Sequence, residues 1–172
     1  MKMKLLALLA LSLAVTSSLS AQELPKKVEN VTVLDLDGKP AKLPYFGEKN
    51  LMIFYIDPDR HKQNEEFTYE LEENKRASGP NIEGLGVMNL KDAPMVPNSM
   101  ARSMAKKRTE KNGALVFADQ NRILATEWGL GDCNNAFVLI ILSKEGELVY
   151  VHKGILSEQD KEEFYRTVEP YR

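Results

Sequence analysis

The stretch Asn50-Leu51-Met52-Ile53-Phe54-Tyr55-Ile56-Asp57-Pro58-Asp59-Arg60-His61-Lys62-Gln63 decides how the rest of the chain is read. Leu51 to Ile56 is apolar without a polar alternation, as expected of a strand covered on both faces. Pro58 stops it, because proline has no amide hydrogen to offer a ladder. From about Lys62 to Lys75 the composition is helical, with Phe67 and Leu71 four apart on a narrow apolar stripe that predicts a surface helix. Asp59 is the expected N-cap of that helix. No cysteine lies between Asp57 and Lys62.

Upstream, Val31 to Leu36 is rich in β-formers, and Asp37-Gly38-Lys39-Pro40 is a turn that returns the chain as a short strand over Ala41 to Leu43. Downstream, Ile82 to Leu90 reads as a strand, and Lys91 to Asn98, with Pro94 and Pro97, as a loop. A helix is predicted over Ser99 to Lys111, capped by Asn98, with Met100, Met104, Ala101 and Ala105 on its buried face. Ala114 to Ala118 is a strand closed by the Asp119-Gln120-Asn121 turn, and Ile123, Leu124 and Trp128 follow helical spacing. Phe137 to Leu142 is a second continuous apolar run, Ser143-Lys144-Glu145-Gly146 a hairpin turn, and Leu148 to Val151 the returning strand. Ser157 with Asp160 starts a last helix whose apolar face is Phe164, Val168 and Tyr171. Strands alternating with helices predict parallel pairing, and the closing hairpin adds an antiparallel edge, so the expected class is a mixed three-layer α/β domain.

Residues 1–21 carry the marks of a cleaved export leader: Lys2 and Lys4, an apolar run from Leu5 to Val15 too short to span a bilayer, then small residues up to Ala21. No cysteine follows the run to take a lipid. Cleavage after Ala21 leaves 172 − 21 = 151 residues, 22–172, enough for one domain with a sizeable core. A net charge of −2 provides no whole-protein attraction to nucleic acid or anionic lipid. Cys133 is the only cysteine, which removes any internal disulfide and the dithiol mechanism.

The segments Val33-Leu34-Asp35-Leu36-Asp37-Gly38-Lys39, Met52-Ile53-Phe54-Tyr55-Ile56, Phe117-Ala118-Asp119-Gln120-Asn121 and Phe137 to Gly146 occur in an order that resembles the thioredoxin-like fold. The resemblance implies a three-layer α/β sandwich with a mixed central sheet and an added N-terminal β-hairpin. More narrowly, Gly113 to Leu130 and Val138 to Gly154 are similar to the YtfJ family of small exported bacterial proteins, thioredoxin-like without the redox motif and without an established activity. A transcription-regulator label sometimes attached to that family does not suit an exported chain of net charge −2. Where active thioredoxins carry C-x-x-C, this chain has Asp59-Arg60-His61-Lys62, and Asn134-Asn135-Ala136 stands in place of their cis-proline.

By analogy with that fold, the loop from Gly131 to Ala136 is expected beside the Asp57–His61 turn, and Asp57, Asp59, Arg60, His61, Cys133, Asn134 and Asn135 form the expected binding site for a periplasmic protein or peptide. No cofactor and no nucleic acid partner is implied. The alternative is a single-cysteine peroxidase or oxidoreductase working through Cys133, activated by His61 or Lys62 but opposed by the adjacent Asp132. Asp57, Asp59 and His61 are too few for a zinc or calcium site. Arg102, Lys106, Lys107, Arg108 and Lys111 form a basic cluster that reads as a solvated helix face or a docking patch for an acidic partner. No phosphate-cradling glycine loop and no Ser-His-Asp pattern is present.

Overall fold

The computed structural model describes residues 23–93 and 95–172, with backbone alone at 108, 111 and 112. The leader expected over 1–21, Pro94 and the side chains of Arg108 and Lys111 therefore lie outside the described residues. In chain order the elements are β1 (Lys26–Lys27), β2 (Thr32–Leu34), β3 (Pro40–Lys42), β4 (Asn50–Ile56), α1 (Glu65–Asn74), β5 (Ile82–Asn89), α2 (Asn98–Asn112), β6 (Leu115–Asp119), α3 (Ile123–Glu127), β7 (Phe137–Leu142), β8 (Glu147–Lys153) and α4 (Glu158–Val168).

The two apolar runs lie side by side as antiparallel β4 and β7 in the middle of an eight-stranded sheet ordered β1-β8-β7-β4-β5-β6-β2-β3. Alternation sends Leu51, Ile53, Tyr55, Val138, Ile140 and Leu142 to one core, and Met52, Phe54, Ile56, Phe137, Leu139 and Ile141 to the other. Both faces being covered is the reason neither run shows polar alternation. β4, β5 and β6 run parallel, while β7–β8 and β2–β3 are the expected antiparallel hairpins.

One face is covered by α1 and α4. Phe67 and Leu71 of α1 meet Phe164, Tyr165 and Val168 of α4, and the Phe67 and Phe164 rings pack edge to face with centroids 5.5 Å apart. The narrow stripe on α1 is thus enough to dock it. α4 begins with the capping box read from Ser157 and Asp160. The opposite face is covered by Leu124 and Ala125 of α3, by Trp128 and by Val28 and Val31.

Val28 and Val31 belong to the short link between β1 and β2, which sit six strand steps apart in the sheet order. Six steps of a flat sheet measure about 29 Å, whereas the five residues from Lys27 to Thr32 reach about 17 Å. The sheet therefore curls, and the link crosses its concave side as a strap. Trp128 Nε1 donates to Glu29 O at 2.9 Å, and Lys26 Nζ donates to Trp128 O at 2.9 Å.

Three local expectations change. The N-cap of α2 is Pro97, and Asn98 is its first helical residue without a capping bond. Met100 and Met104 are exposed (55% and 64%), because α2 approaches Leu90 and Ala118 through the small side chain of Ala101. The third concerns Asp59: α1 starts only at Glu65, with Asn64 at its N-cap and no side-chain capping bond, and the 3-10 turn Pro58–Arg60 ahead of it is capped by Asp57.

Candidate functional site

The strand register sets the ends of five strands along one edge. Ile56 pairs with both Met88 and Phe137, Asn89 with Asp119, and Val138 with Lys153. The connections that leave this edge carry the residues singled out by the sequence.

Asp57 is 1% exposed and acts as the joint between two loops. Its Oδ1 accepts from Asp59 N at 2.9 Å, capping the 3-10 turn Pro58–Arg60, and its Oδ2 accepts from Asn135 N at 2.7 Å. Its own amide donates to Ala136 O at 3.1 Å. The Asp57–His61 turn and the Gly131–Ala136 loop therefore lie together, and the acidic side chain that caps is the one before the proline. Asn135 takes the left-handed conformation (φ 55), which its short polar side chain tolerates.

The rest of the turn is pinned just as firmly. Gln63 Oε1 accepts from Phe137 N at 2.8 Å, while Asn64 donates to Gly154 O at 2.8 Å and accepts from Leu156 N at 2.9 Å. That fixes the β8–α4 connection beside the site and presents Ile155, which is 73% exposed. Asp59, Arg60, His61, Asn134 and Asn135 are all exposed. His61 Nδ1 donates to Pro58 O at 2.9 Å. With Asp57 turned inward and Asp59 and His61 outward, the three do not converge on one point.

Cys133 is 3% exposed and packs in the core that holds Trp128, Leu124 and Leu130. Burial pushes its thiol up to about 11, Lys153 offsetting part of this and Asp132 adding to it. Its sulfur lies 3.6 Å from Gly131 O. A thiolate nucleophile requires the opposite environment, exposed and electropositive.

Behind the loops lies a polar network that the sequence did not suggest. Asp119, fully buried, accepts at Oδ1 from Asn121 N and Ile123 N (3.1 and 2.9 Å) and at Oδ2 from Leu124 N at 2.9 Å, with the Tyr55 hydroxyl 3.3 Å away. Burial, followed by the charge of Asp119, holds the Tyr55 phenol well above its ordinary value. Asp92, 7% exposed, accepts at Oδ1 from Arg122 Nε (2.7 Å) and Nη2, and at Oδ2 from Asn89 Nδ2. Burial raises the Asp92 carboxyl, but the bonds from Arg122 and Asn89 outweigh it and hold the group below the usual carboxylate range.

Asn89, fully buried, leaves its Oδ1 without a partner among the described residues, an arrangement that costs on the order of 1–3 kcal/mol. Arg122 stands in left-handed backbone (φ 57) with its side chain 49% exposed. The Asp119-Gln120-Asn121 turn was the one available sequence sign. Tyr55 sat unmarked in an apolar run, and Asn89, Asp92 and Arg122 are joined by strand register rather than by spacing.

The basic cluster on α2 is partly engaged inside the chain. Arg102 lies against the β2–β3 turn, its Nη2 3.2 Å from where a side chain on Gly38 would begin, and Lys106 pairs with Asp37. Two surface grooves of about 410 and 470 Å³ lie elsewhere, one beside Arg76 and Tyr165 and one between the strap and α3. The loop edge takes part in neither. Among the described residues no helix is long and apolar enough to cross a membrane.

Strand order, parallel centre and flanking hairpins define the thioredoxin-like class of mixed α/β folds. Comparison with solved structures agrees. The exposed lipoprotein thioredoxin of Streptococcus pneumoniae matches with a TM-score of 0.52 at 16% identity, over 80% of this chain and 98% of its own. A peroxiredoxin-like protein from Aquifex aeolicus matches with a TM-score of 0.58 at 13% identity, over 86% of each chain. The reduced 2-Cys peroxiredoxin of Plasmodium vivax matches with a TM-score of 0.55 at 11% identity, over 85% of this chain and 94% of its own. No protein-family model and no curated protein matches the chain.

Proposed function

We propose that this chain is an exported, non-catalytic binding module of the YtfJ type, which uses a thioredoxin-like frame to present a surface to a periplasmic protein or peptide. The observation that carries this is Asp57. At the strand-to-helix turn, where a redox thiol would stand in an active thioredoxin, a carboxylate uses both oxygens to stitch two loops into one rigid face. The exposed Asn134, Asn135 and His61 provide polar contacts on that face, and Ile155 offers an apolar one. An edge of exposed loop residues suits an extended partner better than an enclosed small molecule. The leader-like residues 1–21 support export into the periplasm, and nucleic acid is not a partner of this reading.

The competing reading, a thiol peroxidase or oxidoreductase acting through Cys133, has the catalytic histories of the fold neighbours behind it. Burial of the thiol and its raised pKa oppose it. The deciding experiment is the pH dependence of Cys133 alkylation together with its rate of reaction with hydrogen peroxide. Slow alkylation at neutral pH and no peroxide consumption are expected. Rapid peroxide turnover lost in Cys133→Ser would replace the binding module with the enzyme. Amide shifts concentrated along the loop edge, at 57–63, 131–136, 155 and 122, on titration with peptides are the positive sign of binding.

A further inference from the structure

We infer that Arg122 is the specificity-determining residue of the loop edge, reading a carboxylate side chain of an acidic peptide segment. The inference rests on the binding-module reading and supplies the chemistry of its partner.

The first support is the way Arg122 is held. Its Nε and Nη2 both bond one oxygen of Asp92, whose side chain is 1% exposed, while the guanidinium is half in solvent. Among the described residues no hydrogen bond takes Nη1. One edge of the planar fork is thus clamped from below and the other stays open, the geometry that pairs with a carboxylate through two parallel N–H donors. The second support is the arrangement beneath it. Asn89 holds the other oxygen of Asp92 and leaves its own Oδ1 without a partner among the described residues, and Arg122 adopts a backbone conformation that costs energy outside glycine. A clasp between loops needs neither; apolar packing would join them at less cost. Orienting a guanidinium does need them, so Asp92 and Asn89 are positioning residues.

The third support is the sign of what faces outward. The carboxylates Asp57, Asp92 and Asp119 are turned in and bonded, whereas Arg60, Lys62, Lys91, Arg122 and Lys153 are exposed together with Asp59 and Asp132, and with Glu65, Glu66 and Glu158 at the starts of α1 and α4. Close to the Asp92–Arg122 pair the exposed charges are Lys91 and Lys153 with Asp132, so the surroundings of Arg122 are net positive. Lys153 Nζ reaches the same loop, donating to Asp132 O at 3.2 Å. The interspersed Asp59 and Asp132 and the apolar Ile155 make this a mixed strip rather than the uniformly basic patch that an anionic membrane attracts. A peptide with an acidic and an apolar residue fits such a strip.

The test uses a fluorescein-labelled, end-capped peptide containing Glu and Leu, and a twin in which every Glu is Gln. Binding is read by anisotropy against the whole protein. The Glu peptide is expected to bind about tenfold more tightly than its twin. Arg122→Gln is expected to abolish that preference while leaving affinity for the Gln twin nearly unchanged, and to lower the melting temperature because the buried Asp92 loses its cation. Asp92→Asn, which frees the fork without removing it, is expected to reduce the preference. Should Arg122→Gln fail to fold, Arg122→Lys keeps the cation and loses the fork, so a reduced preference there carries the same conclusion. Equal binding of both peptides to the wild-type protein overturns the role of Arg122 and leaves the binding module standing. Binding of neither overturns both. Displacement of the Glu peptide by an equal concentration of inorganic phosphate, or Arg122-dependent binding to vesicles containing anionic lipid in its place, overturns the acidic-peptide assignment.

Discussion

Asp57 and Asp119 end two parallel strands on either side of β5, and both are sealed from solvent, yet they organise different things. Asp119 works locally, gathering three amides from the turn and helix that directly follow it, with the Tyr55 hydroxyl as a more distant neighbour. Asp57 works at long range, closing its own turn with one oxygen and reaching across the chain to Asn135 with the other. The first use makes a helix begin; the second makes a surface. A buried carboxylate at a strand end is therefore a structural device twice over, and its meaning depends on how far along the chain its donors lie.

Removing the local hub should do the most damage. Asp119→Ala leaves three amides without an acceptor and is expected to lower stability by about 4 kcal/mol in a urea titration. Asp57→Ala frees two amides, and about 2–3 kcal/mol is expected. The sharper readout is hydrogen exchange: Asn135 should lose protection in Asp57→Ala and keep it in Asp119→Ala. If both variants expose Asn135 equally, the long-range role of Asp57 is wrong.

A smaller effect lies in alkaline solution. Below the ordinary thiol pKa both folded and unfolded chains hold the Cys133 proton. Between that value and about 11 the unfolded chain releases it while the folded one does not, so stability falls as pH rises through the window. Cys133→Ser should remove this slope from the pH dependence of the urea midpoint. Tyr55→Phe is expected to be the mildest, about 1 kcal/mol, since Asp119 keeps its three backbone donors. A cost as large as that of Asp119→Ala would mean that the phenol, and not the amides, holds the hub together.

The two central strands were legible because burial on both faces erases alternation, and Leu51–Ile56 and Phe137–Leu142 show that directly. The Ser157–Asp160 cap and the Ser143–Gly146 turn were legible because their geometry is local. The proximity of the Asp57 turn to the Gly131–Ala136 loop followed from fold analogy, and the bond between Asp57 and Asn135 bears out that placement. The Asn89–Asp92–Arg122 network was not legible, since strand register joins residues whose spacing carries no signal. Met100 and Met104 misled because two stripes, one of methionine and one of alanine, share α2, and the closer approach went to the smaller side chains. Asp59 misled because the helix begins later than the composition suggests: α1 starts at Glu65, behind the separate 3-10 turn Pro58–Arg60 that Asp57 caps.

The strap across the concave side has a consequence for the order of assembly. β1 finds its partner only when Lys26 meets Leu148, so the first described strand waits for the eighth. Closing so long a loop carries an entropic cost that local contacts do not, and contacts of this kind slow folding. Until β8 forms, the strap that carries Val28 and Val31 to Trp128 has no strand to anchor its β1 end. The seam of that core is thus fastened late, and it is where a growing chain stays longest open to wrong partners.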